Sequence, residues 1–514
     1  IVMKTEEEGS LTIFSALSLL LILSFLLALL EGARVSGLQM MDTLAADTGM
    51  DCVAAEYQTV LWDKYHLLYL DGAYGWDQFD ENKVSSRVMD YVAGNLSETG
   101  ENSVFRTKLC EASLLEYMFA TDNDGTGMLR QASAYMKRHL PEDVAKKMYQ
   151  QYQDGKKAEA DGKTEYSVED ADQAIINAKK EKEQADQNDK EGAPQEEAGE
   201  KNIQDNENNH AQDAEDGKKE SPIQIVLQLK QNALLGMTVS DMSSLSAKAV
   251  EAKDMVSNRQ CETGRYDMKK AEKMNVSDRV MVLEYIGKHF SDYTEPGKGD
   301  LTYEMEYILC GKDTDKKNLE SSIERLMRMR EAANVAHIIA DREKLNQTLM
   351  IATSLAGFSG NPAVVKIVQI GVVAAWAYVE SILDLRTLLS GGKISLIKSA
   401  AEWTTDLKKL GEIVTGEGKA RECKNGLSYQ AYIKQLLFAM KEKKMAYRMM
   451  DIMELAMQKE QNGKNARMDH MIDNMICELR FEAKPLFAKR SFYGDMEKGG
   501  YTFFKRQKLS YINE

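Results

Sequence analysis

Few residues in this chain have the types and spacing that chemistry requires. Its histidines, His66, His139, His210, His289, His337 and His470, stand apart from one another, and no HExxH pair occurs. A zinc protease needs two ligands one helical turn apart with a glutamate between them. GFSGN (357–361) falls short of the G-x-S-x-G nucleophile elbow, because Asn361 takes the place of the second glycine. LLSGGKIS (388–395) contains Gly-Lys without the spacing of a phosphate-cradling loop, and reads as a helix C-cap. In TDNDGTG (121–127), Asp122, Asp124 and Gly125 fit the third, fifth and sixth positions of a calcium loop. Ala120 and Gln131 stand where the first and twelfth positions need carboxylates, so an Asp/Asn/Gly turn is expected instead.

Two further sets of residues have a chemical and a packing reading. Met445, Met449, Met453 and Met457 repeat every four residues, the spacing of one helix face. Core packing by an adaptable thioether explains that stripe better than soft-metal binding. Cys52, Cys110, Cys261, Cys310, Cys423 and Cys477 lie far apart, with no CxxC, so neither a zinc ribbon nor a thioredoxin-like motif is present. An exported chain with six cysteines admits three disulfides, and buried thiols serving as small hydrophobes are the alternative. No catalytic residue, cofactor or metal site emerges, and a non-enzymatic protein is expected.

The elements that would position any site are mostly helical. Apolar residues at three- and four-residue spacing continue from the N-terminal segment through Leu38, Met41, Ala45, Cys52 and Ala55. HLLYLDGAYGWD (66–77) predicts a short strand or turn, followed by helices near 83–96, 102–120 and 127–150. Amphipathic helices are predicted over 222–236 and 240–257, and one long helix or two over 318–350. The run over 363–389 is apolar, but Lys366, Glu380, Asp384 and Arg386 confine its uncharged part to Ile367–Val379. Thirteen residues suit a buried core helix better than a span. Near the end, 478–492 and 501–512 alternate and are rich in aromatics, which predicts a β-hairpin, with 301–311 as a possible third strand.

Composition changes sharply once. Between Lys179 and Glu220 the only large apolar residue is Ile203, too little to offset the entropy of ordering the segment. A charged disordered linker over 151–220 is therefore expected, separating a membrane-proximal helical module (32–150) from a distal helical module with a C-terminal β-hairpin (221–514). The net charge of −15 among 514 residues argues against nucleic acid, whose phosphates demand clustered Lys and Arg.

The strongest signal is Leu11–Leu30, which holds no charge and only Thr12, Ser15, Ser18 and Ser24 as polar interruptions. Twenty residues at about 1.5 Å each match the roughly 30 Å of a bilayer core. The acidic flank TEEEG and the length distinguish it from a cleaved secretory peptide. A transmembrane helix over 10–31 is expected, preceded by a short N-terminal segment (1–9). Lys4 on one side and Arg34 on the other leave the positive-inside rule close to a draw.

EEEG followed by SLTIF and a long apolar helix resembles the N-terminus of Tad-type (TadE-like) pilus-assembly pseudopilins. The resemblance implies cleavage by a prepilin peptidase between Gly9 and Ser10, with Ser10 suited to cap the spanning helix. The family places Glu at the fifth mature position, where this chain has Phe14. Phenylalanine cannot pair with a neighbour's N-terminal amine, so a monomeric or capping component is expected rather than a filament subunit.

LLEGARVSGL (29–38), EYQTVLWDKYHLLYLDG (56–72), EYILCGKDTDKKNL (306–319), WAYVESILDLRTLLSGGK (376–393) and MMDIMELAM (449–457) resemble uncharacterised bacterial membrane proteins associated with Tad-like pilus genes. That resemblance implies a single-pass membrane protein, N-terminus inside and ectodomain outside. Its implied partners are the bilayer through 10–31, other pilus-assembly proteins and a prepilin peptidase. A stand-alone extracytoplasmic receptor or enzyme is the alternative.

Overall fold

The structure is a computed structural model that describes residues 3–97, 104–141, 146–154, 167–191, 221–266, 274–411, 418–460, 463–486 and 500–511. It is mainly helical, with a long apolar N-terminal helix and a small antiparallel sheet. The chain divides into two units that interleave along the sequence. One comprises 1–139, 253–278 and 441–514; the other comprises 140–252 and 279–440. The boundaries 32–150 and 221–514, read from composition, are thus not those of the compact units.

The first unit is organised by one helix, Met3–Ala54, of fifty-two residues. At about 1.5 Å per residue it runs roughly 78 Å. Its first half is apolar around the whole circumference. From Glu31 onward one face is buried, through Leu38, Ala45, Ala46, Met50 and Val53. That face packs on the helix Glu81–Ser97 and on a sheet of four strands. Gly49 permits the helix contact, since a Cβ there would lie 2.4 Å from Val92 Cγ2.

The strands are β1 (Leu70–Asp71), β2 (Lys108–Phe119), β3 (Met471–Ala483) and β4 (Tyr501–Ser510), all antiparallel. β3 is central, pairing with β2 along one edge and with β4 and β1 along the other. Met475, Cys477, Leu479, Phe481 and Ala483 alternate along β3 and all face the core. Pairing of β3 with β4 is the C-terminal hairpin the sequence predicts; its connection over 487–499 lies outside the described residues. The four-residue methionine stripe lies on Glu442–Gln458 with Met445, Met449, Met453 and Met457 wholly buried, which is core packing.

The second unit is built around Pro362–Leu389, which is buried on every side from Val368 onward. Among the described residues two helices are long and apolar enough to cross a membrane. In this one 61% of the most apolar stretch is buried, against none in the N-terminal helix. Helices Val168–Glu191, Asp315–Ala340 and Arg342–Ala356 pack on it. At its centre lies a charge cluster with no exposed member: Arg330, Glu380, Asp384 and Lys398. Arg330 Nε donates to Asp384 Oδ2 at 3.0 Å, and its Nη1 donates to Tyr432 Oη and Leu396 O, both at 2.8 Å. Lys398 bonds Glu380 and lies 2.5 Å from Asp384 Oδ1. Glu380 also accepts from the Thr405 amide at 2.9 Å.

Several sequence expectations are corrected. The helix expected over 102–120 is strand β2, because pairing with β3 overrides the helix propensity of its Leu, Glu and Ala residues. The strand expected over 301–311 contains the helix Glu304–Cys310, ended by Gly311 at φ +64. The segment 240–257 is largely irregular, with only a short 3₁₀ turn at Met242–Ser244. Within the expected linker, Val168–Glu191 is a helix that buries Val168, Ala171 and Ala178. A Cβ on Gly371 would sit 2.1 Å from the Ala171 Cβ, so contact between two small residues replaces bulk. Residues 155–166 and 192–220 of that linker lie outside the described residues. The helix expected over 127–150 is Thr126–His139 and a separate helix over 146–154, with Pro141 between them.

Removing one member of the buried cluster leaves its partners charged and dry. Asp384→Ala is expected to cost on the order of 3–5 kcal/mol. Asp124→Ala, which breaks an exposed pair with Lys443, is expected to cost less than about 1 kcal/mol. Denaturant unfolding of the full chain in detergent, followed by circular dichroism, reads both.

Candidate functional site

No element other than the N-terminal helix combines an unusual surface with a dedicated support. Its side chains from Leu11 to Leu30 are exposed except for the half-buried Ser18 and Leu27: Phe14 is 69% exposed and Leu26 50%. This surface makes the helix a candidate membrane span. Phe14 lies among these exposed residues and offers no charge. Gly9 and Ser10 carry helical backbone, since the helix begins at Met3, so Ser10 is not its N-cap. The Ser10 side chain lies outside the described part of the structure.

At the end of the exposed run the helix is clamped. Glu31 and Arg34 follow one helical turn apart, and both are about 95% buried. Arg34 Nη1 donates to Glu31 Oε1 at 2.8 Å. The remaining guanidinium nitrogens donate to two backbone carbonyls, Nε to Val104 O at 2.6 Å and Nη2 to Lys484 O at 2.9 Å. Glu31 Oε1 also accepts from the Leu486 amide at 3.4 Å. Arginine suits this task, because its planar fork presents donors in three directions without losing its charge. One ion pair therefore joins the helix to the segment before β2 and the segment after β3. Phe105 adds a packing contact: its ring lies against Gly37, where a Cβ would meet Phe105 Cε1 at 2.4 Å.

The first unit also holds a cavity of about 330 Å³ lined by Thr121, Asp122, Arg259, Cys261, Lys443 and Tyr447, among others. Its polar groups are committed to the fold. Asp122 Oδ2 accepts from the Phe119 amide at 2.7 Å and the Gly264 amide at 3.0 Å. The calcium-like turn is thus a structural Asx device, with Asn123 and Asp124 at φ +51 and +60. Arg259 is held by Glu454 and Asp469. Burial and the nearby Asp469 push the Cys261 thiol up to about 11, so it is protonated at neutral pH, the opposite of nucleophile activation. Among the described residues no three His, Cys, Asp or Glu side chains come together as metal ligands. All six cysteines are free thiols.

Sequence reasoning found the apolar helix but not its clamp. Glu31 and Arg34 are visible as a charged pair after the apolar run, yet their acceptors at Val104 and Lys484 are 70 and 450 residues distant.

The chain belongs to a family of unknown function (DUF5702), which matches residues 212–483. The match ends at the last residue of β3 and leaves the N-terminal helix outside it. No curated protein and no solved structure matches the chain.

Two predictions follow from these groups. Arg34→Ala leaves Glu31 buried without its cation, and a loss on the order of 3–5 kcal/mol is expected. Hydrogen exchange should rise selectively at 104–108 and 484–486; unchanged exchange there would contradict the clamp. The second concerns Asp473, whose carboxyl burial pushes up to about 7, with only Gln131 donating to Oδ1 at 3.2 Å. The unfolded carboxyl titrates near 4, so the folded state binds the extra proton between these values. Stability should therefore fall as pH rises from about 4 to about 7 and level off above. Asp473→Asn should match the parent near pH 4 and exceed it at pH 8, by on the order of 3 kcal/mol. Equal pH profiles for the two proteins would exclude this assignment.

Proposed function

We propose that the protein is a non-enzymatic, single-pass envelope protein, a pseudopilin-like component or partner of a Tad-like pilus or secretion system. The N-terminus lies inside, and the second unit and the first unit beyond residue 31 lie outside. One observation carries this reading. A single unbroken helix is uncharged and almost entirely exposed over Leu11–Leu30, then packs as a core helix against an antiparallel sheet. A backbone that closes its hydrogen bonds internally is what hydrocarbon tolerates, and the rigid continuation transmits the position of the span to the head. The resemblance of EEEG-SLTIF to pseudopilin N-termini supports the same reading and supplies the orientation. Phe14 removes the carboxylate on which filament packing relies, which favours a monomeric or capping role over a filament subunit.

An extracytoplasmic receptor is the second reading, favoured by the cavity beside Asp122 and Cys261. The two readings differ in processing. In the first, the membrane-extracted protein begins at Ser10, and Gly9→Leu or loss of the prepilin peptidase leaves a longer N-terminus. A native N-terminus ahead of Gly9, unchanged in those strains, would refute processing. Protease added to intact protoplasts should degrade both units; full protection would refute the orientation.

A further inference from the structure

The clamp does more than hold the helix, because of where it lies. Leu11–Leu30 spans about the thickness of the hydrocarbon, so Glu31 stands at the level where the lipid headgroups begin. The Leu486 amide touches Glu31 Oε1, and the Val104 and Lys484 carbonyls receive the Arg34 guanidinium. These contacts draw two segments from opposite ends of the chain to the point where the helix leaves the protein.

The side chains those segments present are of one kind. Val104, Phe105 and Leu486 are 40–49% exposed although they adjoin a folded core. Arg106 and Lys484 beside them are exposed and basic. Tyr501, the first residue of β4, has its hydroxyl next to the Glu31 carboxylate. Among the described residues the carboxylates against these segments include Glu31, neutralised by Arg34, the buried Asp42 beside Thr107, and Glu482 at the edge of the sheet. Apolar and aromatic side chains interleaved with Lys and Arg are the composition that settles at a membrane interface.

We propose that this rim is a lipid-binding surface, seated in the headgroup layer around the exit of the helix and selective for anionic phospholipid. Val104, Phe105 and Leu486 enter the upper acyl region, while Arg106 and Lys484 contact headgroup phosphates. The proposal rests on the reading of Leu11–Leu30 as a span. Its occupant follows from continuity with that apolar surface and from the sign of the flanking charge. Each Lys or Arg near an anionic surface contributes an attraction that salt screens. The rim thereby fixes the tilt of the sheet unit on the membrane, which a helix alone leaves free.

The test reconstitutes the full chain in vesicles of equal phosphatidylglycerol and phosphatidylcholine whose acyl chains are brominated either near the headgroup or near the bilayer centre. Leu486→Trp and Leu20→Trp each add one indole, and the parent's emission is subtracted. The Leu486→Trp signal is expected to be quenched at least twofold more by shallow than by deep bromine, and Leu20→Trp the reverse. Adding Lys484→Glu, alone or with Arg106→Glu, to Leu486→Trp should reduce shallow quenching, by half or more in the doubly reversed protein, and Lys484→Glu alone should leave the unfolding midpoint unchanged. Replacing phosphatidylglycerol by phosphatidylcholine should likewise reduce shallow quenching by half or more. Quenching of Leu20→Trp without any quenching of Leu486→Trp would overturn the rim while leaving the anchor standing. An unquenched Leu20→Trp would overturn the anchor and the rim together. Shallow quenching that ignores both the charge reversals and the lipid change would overturn the selectivity for anionic lipid.

Discussion

The constraint on which the rest of the first unit depends is the continuity of one helix through a change of surroundings. Over fifty-two residues the backbone never leaves its own hydrogen bonds, so the same rod is compatible with hydrocarbon at one end and a protein core at the other. The change occurs at Glu31 and Arg34. A buried ion pair is poorly compensated by Coulomb attraction alone. Here the guanidinium also satisfies two carbonyls, and the carboxylate takes an amide, so each of the three guanidinium nitrogens has an acceptor. The pair works as a joint because it breaks badly: a variant lacking either partner leaves the other buried and unmatched.

The sheet inherits its order from that rod. β2 and β3 are separated by some 350 residues of chain, and no local signal brings them together. What brings them together is a shared face: the buried positions of β2 and β3 meet the buried face of the N-terminal helix and the helix Glu81–Ser97 in one cluster. The second unit solves a related problem differently. Pro362–Leu389 is apolar enough to cross a membrane by composition, yet it carries Glu380 and Asp384 in its C-terminal third. In hydrocarbon these would be unmatched; inside the unit Arg330, Lys398 and the Thr405 amide match them. The buried charges therefore decide between two environments that hydrophobicity alone leaves equivalent.

Legibility followed the same division between local and distant causes. The apolar N-terminal run, the core helix at 363–389 and the methionine stripe are strong signals within one element; the structure makes the first an exposed helix and buries the other two as their patterns imply. The hairpin was readable because aromatic alternation survives at 478–483 and 501–509. Strand β2 was not, because KLCEASLLEYMF is made of good helix formers and its strand state comes from a partner far along the chain. Val168–Glu191 was not, because its packing uses Ala171 against Gly371, and small residues add nothing to a hydrophobicity profile. The clamp was half legible: its charged pair is in the sequence, and its carbonyl acceptors carry no sequence signature at all.

Three titratable groups around the cavity of the first unit are arranged for structure, for a related reason. A nucleophile or base needs its reactive form stabilised and a direction left open to substrate. Asp122 turns its Oδ2 toward two backbone amides, Arg259 is shared between Glu454 and Asp469, and Cys261 is held protonated by burial and a neighbouring carboxylate. Each is spent on positioning its own loop. The surface left uncommitted is instead the one on the N-terminal helix, continuous from Phe14 to Leu30 and ending at a joint that makes it mechanically one piece with the sheet. An apolar, elongated surface continuous with a folded core matches hydrocarbon in chemistry and length, which makes this helix a candidate span whose placement the sheet would share.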